Sequence, residues 1–160
     1  MRRLWTAVSV MALVGVAQAA PKYFVQADVV RGAPGAQGAV CVANSVFYPG
    51  EQVVWRAKVF DTTTGKELTE AQVKAAGLVL TASLDNGAKA TLNYVPHGSN
   101  GKMDLFWAGG WQTTSKTPTG TLKWTVTVRD KAGNTATFQP IGQDVGLAVL
   151  TIAAKPATTK

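Results

Sequence analysis

Beyond residue 20, three side chains belong to the types that coordinate soft metal ions: Cys41, His97 and Met103. The chain has one cysteine and one histidine, and Met103 is its one methionine beyond residue 20. Thiolate, imidazole and thioether groups together favour copper. Because His97 and Met103 stand in one glycine-rich segment, we expect a loop that could bring both to one ion, with Cys41 as an optional third ligand.

A structural role is the alternative for the same three residues. A blue-copper site uses two histidines, and this chain has a single one. Cys41 lies in the apolar run 39–43, which predicts a packed, inert thiol, since an unpaired cysteine is among the most buried residue types. On this interpretation no cofactor is bound, and copper remains the one to test.

The sequence contains few residues in arrangements suited to catalysis. Cys41 and His97 form the one conceivable nucleophile–base pair, and the Gly-x-Ser-x-Gly elbow of serine hydrolases is absent. The nine acidic residues are scattered and show no pairing along the strands. We therefore predict that the protein is not an enzyme.

Residues 1–19 have the pattern of a cleavable signal peptide. Arg2 and Arg3 precede an apolar stretch over 4–16, and Ala17-Gln18-Ala19 supplies a small-x-small processing site. The apolar stretch is shorter than the ~20 residues that a spanning helix needs. We expect export to the periplasm or the extracellular space, with no stable membrane insertion after the leader is removed.

The charge pattern argues against nucleic acid as a partner. The chain has 16 basic and 9 acidic residues and a net charge of +7, which loss of Arg2 and Arg3 would lower by two. The remaining cations are dispersed, and no basic run with interleaved aromatic residues occurs. A mild attraction to anionic partners is all that this charge supports.

Most of the chain beyond the leader predicts short β-strands. In 53–60 and 121–129 apolar and polar residues alternate, as in a strand with one buried face. Similar patterns occur elsewhere, so we expect eight or nine strands. The expected strands are 23–30, 39–47, 53–60, 78–84, 89–94, 104–107, 121–129, 135–139 and 146–152.

Turn and helix signals divide these strands. Asp85-Asn86-Gly87 and Asp130-Lys131-Ala132-Gly133-Asn134 predict hairpins, and Tyr48-Pro49-Gly50-Glu51 predicts a further turn. The single helix is expected at 70–76, with Thr69 and Gln72 forming a capping box and Gly77 ending it. So short a helix predicts a connector within an all-β fold.

Many short strands separated by Gly- and Pro-rich turns predict an antiparallel β-sandwich of one domain over 20–152, followed by a mobile tail at 153–160. The spacing of Cys41 and Trp55 resembles that of the strand-B cysteine and strand-C tryptophan of immunoglobulin domains. The segment PTGTLKWTVTVRDKAGN over 118–134 resembles a strand pair of bacterial exported immunoglobulin-like modules, with Trp124 as its aromatic anchor. The resemblance implies an immunoglobulin-like sandwich, although the strand-F cysteine is missing.

Aromatic residues provide the remaining candidate binding site. We expect Trp55, Trp107 and Trp124 to fill the core, although Trp107 also belongs to the candidate binding set. Trp111, with His97 and Tyr94, could form one surface of loops at an end of the sandwich. The leading hypothesis is a non-enzymatic accessory module that binds a protein of the cell envelope through such loops. The alternatives are copper binding and weak polysaccharide binding through Trp111.

Overall fold

The computed structural model describes residues 20–99 and 101–156. Ten strands, one α-helix and one 3-10 helix make up this part of the chain. The elements are β1 (Tyr23–Arg31), β2 (Val46–Phe47), β3 (Gln52–Asp61), α1 (Glu70–Ala76), β4 (Val79–Leu84), β5 (Lys89–Ser99), β6 (Lys102–Gln112), β7 (Gly120–Leu122), β8 (Trp124–Arg129), β9 (Thr135–Phe138), a 3-10 helix (Gln143–Val145) and β10 (Leu150–Ile152).

Seven strands form one antiparallel sheet in the order β1-β3-β6-β5-β4-β8-β9. The long strand β5 joins its two halves: 89–92 pair with β4, and 93–99 pair with β6. At the crossing, a Cβ on Gly109 would lie 3.0 Å from the Cα of Leu92, so only glycine allows β5 and β6 to approach this closely. The sheet curls until β1 lies beside β9, which gives the sandwich a barrel-like shape.

The core lies between the two halves of this curled sheet. Along β3, Val53, Trp55, Ala57 and Val59 are buried while the intervening residues reach the surface, as the period of two requires. Trp107 and Trp124 are also buried, which confirms the expected core role of the three tryptophans.

A second sheet of three strands, in the order β2-β10-β7, covers part of this core. β10 is antiparallel to β7 and parallel to β2. The expected strand 121–129 is interrupted at Lys123, because β7 belongs to this small sheet while β8 pairs with β4 in the large one. One run of alternating residues thus contributes a strand to each of the two sheets.

The short-range predictions are confirmed. The helix spans Glu70–Ala76, Thr69 and Gln72 form the capping box, and Gly77 ends the helix at φ 59°. A hairpin joins β4 to β5 through Gly87, and another joins β8 to β9 through Gly133, both at positive φ. The all-β antiparallel sandwich with one short connector helix is therefore the observed fold class.

The expected strand 39–47 is wrong except at its end. Residues 32–45 form a long loop, and β2 starts at Val46. Between this loop and β1 there is one isolated β-bridge, from Val30 to Ala43, with further backbone hydrogen bonds at Val29 and Arg31. The expected strand 146–152 is also too long, since β10 starts at Leu150. In both segments the apolar residues follow no strict alternation with polar ones, so apolar composition alone led to the wrong prediction.

The proposed leader lies outside the described residues, as do residues 157–160 of the tail. Residues 153–156 continue from β10 without regular structure. Within the described ranges, no helix has the length and apolar character needed to cross a membrane.

Candidate functional site

His97 and Met103 were expected in a loop. They lie instead on the paired strands of the β5–β6 hairpin. His97 is directly opposite Asp104, and Met103 is directly opposite Gly98. Paired residues share a face of a sheet and successive residues alternate, so the side chains of His97 and Met103 project from opposite faces. The convergence that copper binding by this pair requires is not present.

Cys41 is exposed, which corrects the prediction of a packed thiol. It lies in the 32–45 loop with φ 59°, and its N–H donates to the carbonyl of Arg31 at 2.8 Å. The loop faces solvent on one side, so the apolar residues around Cys41 do not bury it. Among residues 20–99 and 101–156, no group of three or more His, Cys, Asp or Glu side chains is placed to hold a metal ion.

Tyr94, Trp107 and Trp111 face the core side of the sheet rather than an end-loop surface. Tyr94 and Trp107 are paired across the strands, with ring centroids 5.1 Å apart. Trp111 pairs with the buried Val53 and packs against the core. Because His97 projects from the other face, the structure does not assemble Tyr94, His97 and Trp111 into one surface.

Large aliphatic side chains are exposed instead on the segment between β9 and β10. Ile141 is 95% exposed, Val145 76% and Leu147 64%. We call these three the rim residues. Three exposed aliphatic side chains within seven residues are unusual for a region without a partner, because contiguous exposed apolar surface tends to mark interaction sites.

An apolar pocket of about 390 Å³ is lined in part by Pro140 and Ala148, the chain neighbours of the rim residues Ile141 and Leu147. We call it the loop pocket. Residues 43–45, which precede β2, and 148–150, which lead into β10, supply much of its lining. Its lining consists of Asp28, Val29, Ala43, Asn44, Ser45, Trp124, Pro140, Ala148, Val149 and Leu150. The pocket and the rim together form the candidate functional site.

A buried glutamine holds the rim segment in place. The side-chain amide of Gln143 donates to the carbonyl of Trp124 at 3.0 Å, and its oxygen accepts from the N–H of Trp124 at 3.1 Å. Gln143 thus takes the place of a neighbouring strand at the start of β8. Since Gln143 is only 2% exposed, Val145 and Leu147 are displayed from a fixed support.

A buried carboxylate organises the loop on the other side of the pocket. Glu51 accepts hydrogen bonds from the N–H groups of Gln37 at 2.6 Å and Tyr48 at 2.8 Å. The Nε of Arg31 lies 2.9 Å from the same carboxylate. A buried carboxylate without such partners would be strongly destabilising, so these contacts couple the 32–50 segment to β3.

The rim residues were not predicted from the sequence. Ile141, Val145 and Leu147 are interspersed with Pro140, Gly142 and Gly146. Apolar residues in a segment that proline and glycine prevent from forming a strand were the available signal, because such residues have no regular element to bury them.

Comparisons with known proteins give no family for this chain. No protein-family model matches it, and no curated protein is similar to it in sequence. A solved DUF4426 family protein from Pseudomonas aeruginosa is 16% identical, with a TM-score of 0.39 over 77% of this chain and 90% of that one. Similarity at this level carries no argument about function.

Proposed function

We propose that the protein is a non-enzymatic, exported binding module that attaches to another protein of the cell envelope through the rim residues and the loop pocket. The observation that carries the proposal is the exposure of Ile141, Val145 and Leu147 on a segment anchored by a buried glutamine. Residues 1–19, with their signal-peptide pattern, support export.

A protein partner suits this site better than a small polar ligand. The exposed rim offers aliphatic contacts, and the pocket beside it can receive an apolar side chain. The nearby polar groups are already engaged: Lys123 Nζ lies 2.7 Å from Asp144 Oδ1. Burial of the rim against a partner would therefore remove apolar surface from water without leaving this charged pair unsatisfied.

We further propose that the sandwich is of the immunoglobulin-like type. Two features support this: Trp55 is fully buried on β3, and the β8–β9 hairpin carries the buried Trp124. Cys41 does not occupy a strand, so the resemblance rests on the tryptophans and the hairpin rather than on the cysteine.

Site-specific photo-crosslinking in the native cell envelope tests the proposal. A photoreactive amino acid at Leu147 should give one defined protein adduct, whereas the same group at Val79, which is 54% exposed on β4, should not. The captured protein is then purified and its affinity measured. Exchange of Ile141 and Leu147 for serine should weaken binding at least about tenfold, because loss of apolar anchors dominates interface energetics.

Val79→Ser is the matched control for these exchanges, since it also removes an exposed aliphatic side chain. Both variants should keep the thermal midpoint of the wild-type protein. Equal adducts from positions 147 and 79, or an affinity unchanged by the Ile141 and Leu147 exchanges, would contradict the proposal.

A further inference from the structure

A second concave site lies on the solvent face of strands β1, β3 and β6. It has a volume of about 260 Å³. Its side chains project outward, on the face away from the buried residues of β3. We call it the sheet-face groove, and its principal lining residues are Gln26, Asp28, Arg56, Lys58, Asp104 and Phe106.

Small and flat side chains leave space for the groove. Ala108 is directly opposite Arg56 across β3 and β6, so no large side chain fills the surface beside the guanidinium. Phe106 lines the groove, and the ring of His97 stacks on it at 4.0 Å between centroids and an angle of 13°. The stacked pair gives the groove a rigid aromatic wall.

Two cationic side chains, each bound to carboxylates, dominate the polar lining. Arg56 donates from Nε to Asp28 Oδ1 at 2.9 Å and also from Nη2 to Oδ2, a two-pronged contact. Lys58 Nζ lies 3.0 Å from Asp104 Oδ1 and 3.0 Å from Glu67 Oε2. The groove therefore presents cationic donors next to anionic acceptors, and the two signs balance among its lining residues.

Both cations remain charged at neutral pH. The hydrogen bond to Asp28 raises the pKa of Arg56. Burial lowers the pKa of Lys58, but its hydrogen bonds to Asp104 and Glu67 outweigh this, and the pKa is raised.

We propose that the sheet-face groove binds an uncharged, hydroxyl-rich ligand, namely a glycan of neutral sugar units. A sugar hydroxyl can donate to Asp28 or Asp104 and accept from Arg56 or Lys58 at the same time. The apolar C–H face of a sugar ring can pack on Phe106. An anionic ligand would have to compete with the carboxylates already bound to Arg56 and Lys58, and a wholly apolar one would desolvate the ion pairs without replacing their contacts with water.

This site is separate from the rim residues, although Asp28 borders both pockets. It also differs from the glycan site expected at Trp111, which packs against the core instead. Either site can therefore fail its own test without deciding the other.

Nuclear magnetic resonance titration of the purified protein provides the test. The probes are cellopentaose, chitopentaose and maltopentaose, with oligogalacturonate as the anionic comparison. At least one neutral probe should cause saturable shifts of the backbone amides of Arg56, Lys58 and Phe106 at millimolar concentration or below. Arg56→Met and Phe106→Ala should each weaken binding about tenfold, as expected for loss of a hydrogen bond to a charged group or of an aromatic contact.

Two controls separate the groove from the rest of the surface. Phe24→Ala removes a 57% exposed aromatic ring outside the groove lining, and Lys131→Met removes an exposed cation elsewhere; neither should change the affinity. If Phe106→Ala fails to fold, Asp104→Asn, at an exposed position of the groove lining, replaces it as the groove variant. Absence of saturable shifts with all three neutral probes, binding of oligogalacturonate alone, or equal effects of control and groove variants would overturn the proposal.

Discussion

Replacing Gln143 with leucine should destabilise the protein strongly, although leucine is apolar and of similar size. Gln143 is 2% exposed and makes hydrogen bonds of 3.1 and 3.0 Å to the N–H and the carbonyl of Trp124. The exchange would leave two buried backbone groups without these partners. Each such group costs about 1–3 kcal/mol, so we expect a loss of about 2–6 kcal/mol in the free energy of unfolding.

Urea denaturation followed by tryptophan fluorescence measures this loss, and thermal unfolding should show a midpoint lower by roughly 10 °C. Gln112→Leu is the matched control. Gln112 is exposed, and its amide donates to the carbonyls of Gly50 and Thr113, which water can replace. The control should lose less than about 1 kcal/mol. A loss for Gln143→Leu no larger than that of the control would refute the argument that this amide substitutes for a strand.

Two further predictions concern the ionised carboxylate of Asp130 and the close approach of β5 and β6 at Gly109. Hydrogen bonds from Asn134, together with those from Lys22 and Tyr23, hold the pKa of Asp130 below its usual range. The stability that Asp130 contributes should therefore be present above about pH 4 and decline as the pH falls further. The difference in thermal midpoint between wild type and Asp130→Asn should accordingly become smaller in acid. A difference that does not change with pH would contradict this. Gly109→Ala should lower the free energy of unfolding, measured by chemical denaturation, by about 1–3 kcal/mol, because the new Cβ would meet the β5 backbone. In Gly110→Ala the new Cβ meets the side chain of Gln52, so the loss of stability should be smaller. Equal losses for the two variants would rule out the close approach of β5.

Local signals were sufficient for the turns, the helix and most strands. The capping box of Thr69 and Gln72 and the left-handed glycine at 77 involve residues within one helical turn of one another, so the sequence contains their whole explanation. The alternation in β3 likewise predicts which of its residues are buried.

The candidate sites were much less predictable. Cys41 was expected to be buried because its neighbours are apolar, yet the loop that carries it folds on the surface. His97 and Met103 are close in sequence, but the register of the β5–β6 hairpin places them on opposite faces. A shift of register by one residue would reverse the face of either side chain, and sequence proximity does not specify it.

The sequence by itself determined the β character of this chain, its hairpins, its short α-helix at 70–76 and the tryptophans of its core. The tertiary structure alone decided that β5 spans both halves of a curled sheet, that the alternating run at Lys123 divides between two sheets, and that Ile141, Val145 and Leu147 remain exposed. The physical reason is the range of the interactions. Capping and turn formation act over a few residues, whereas strand pairing and burial depend on partners far away in the sequence, such as Gln143 for Trp124.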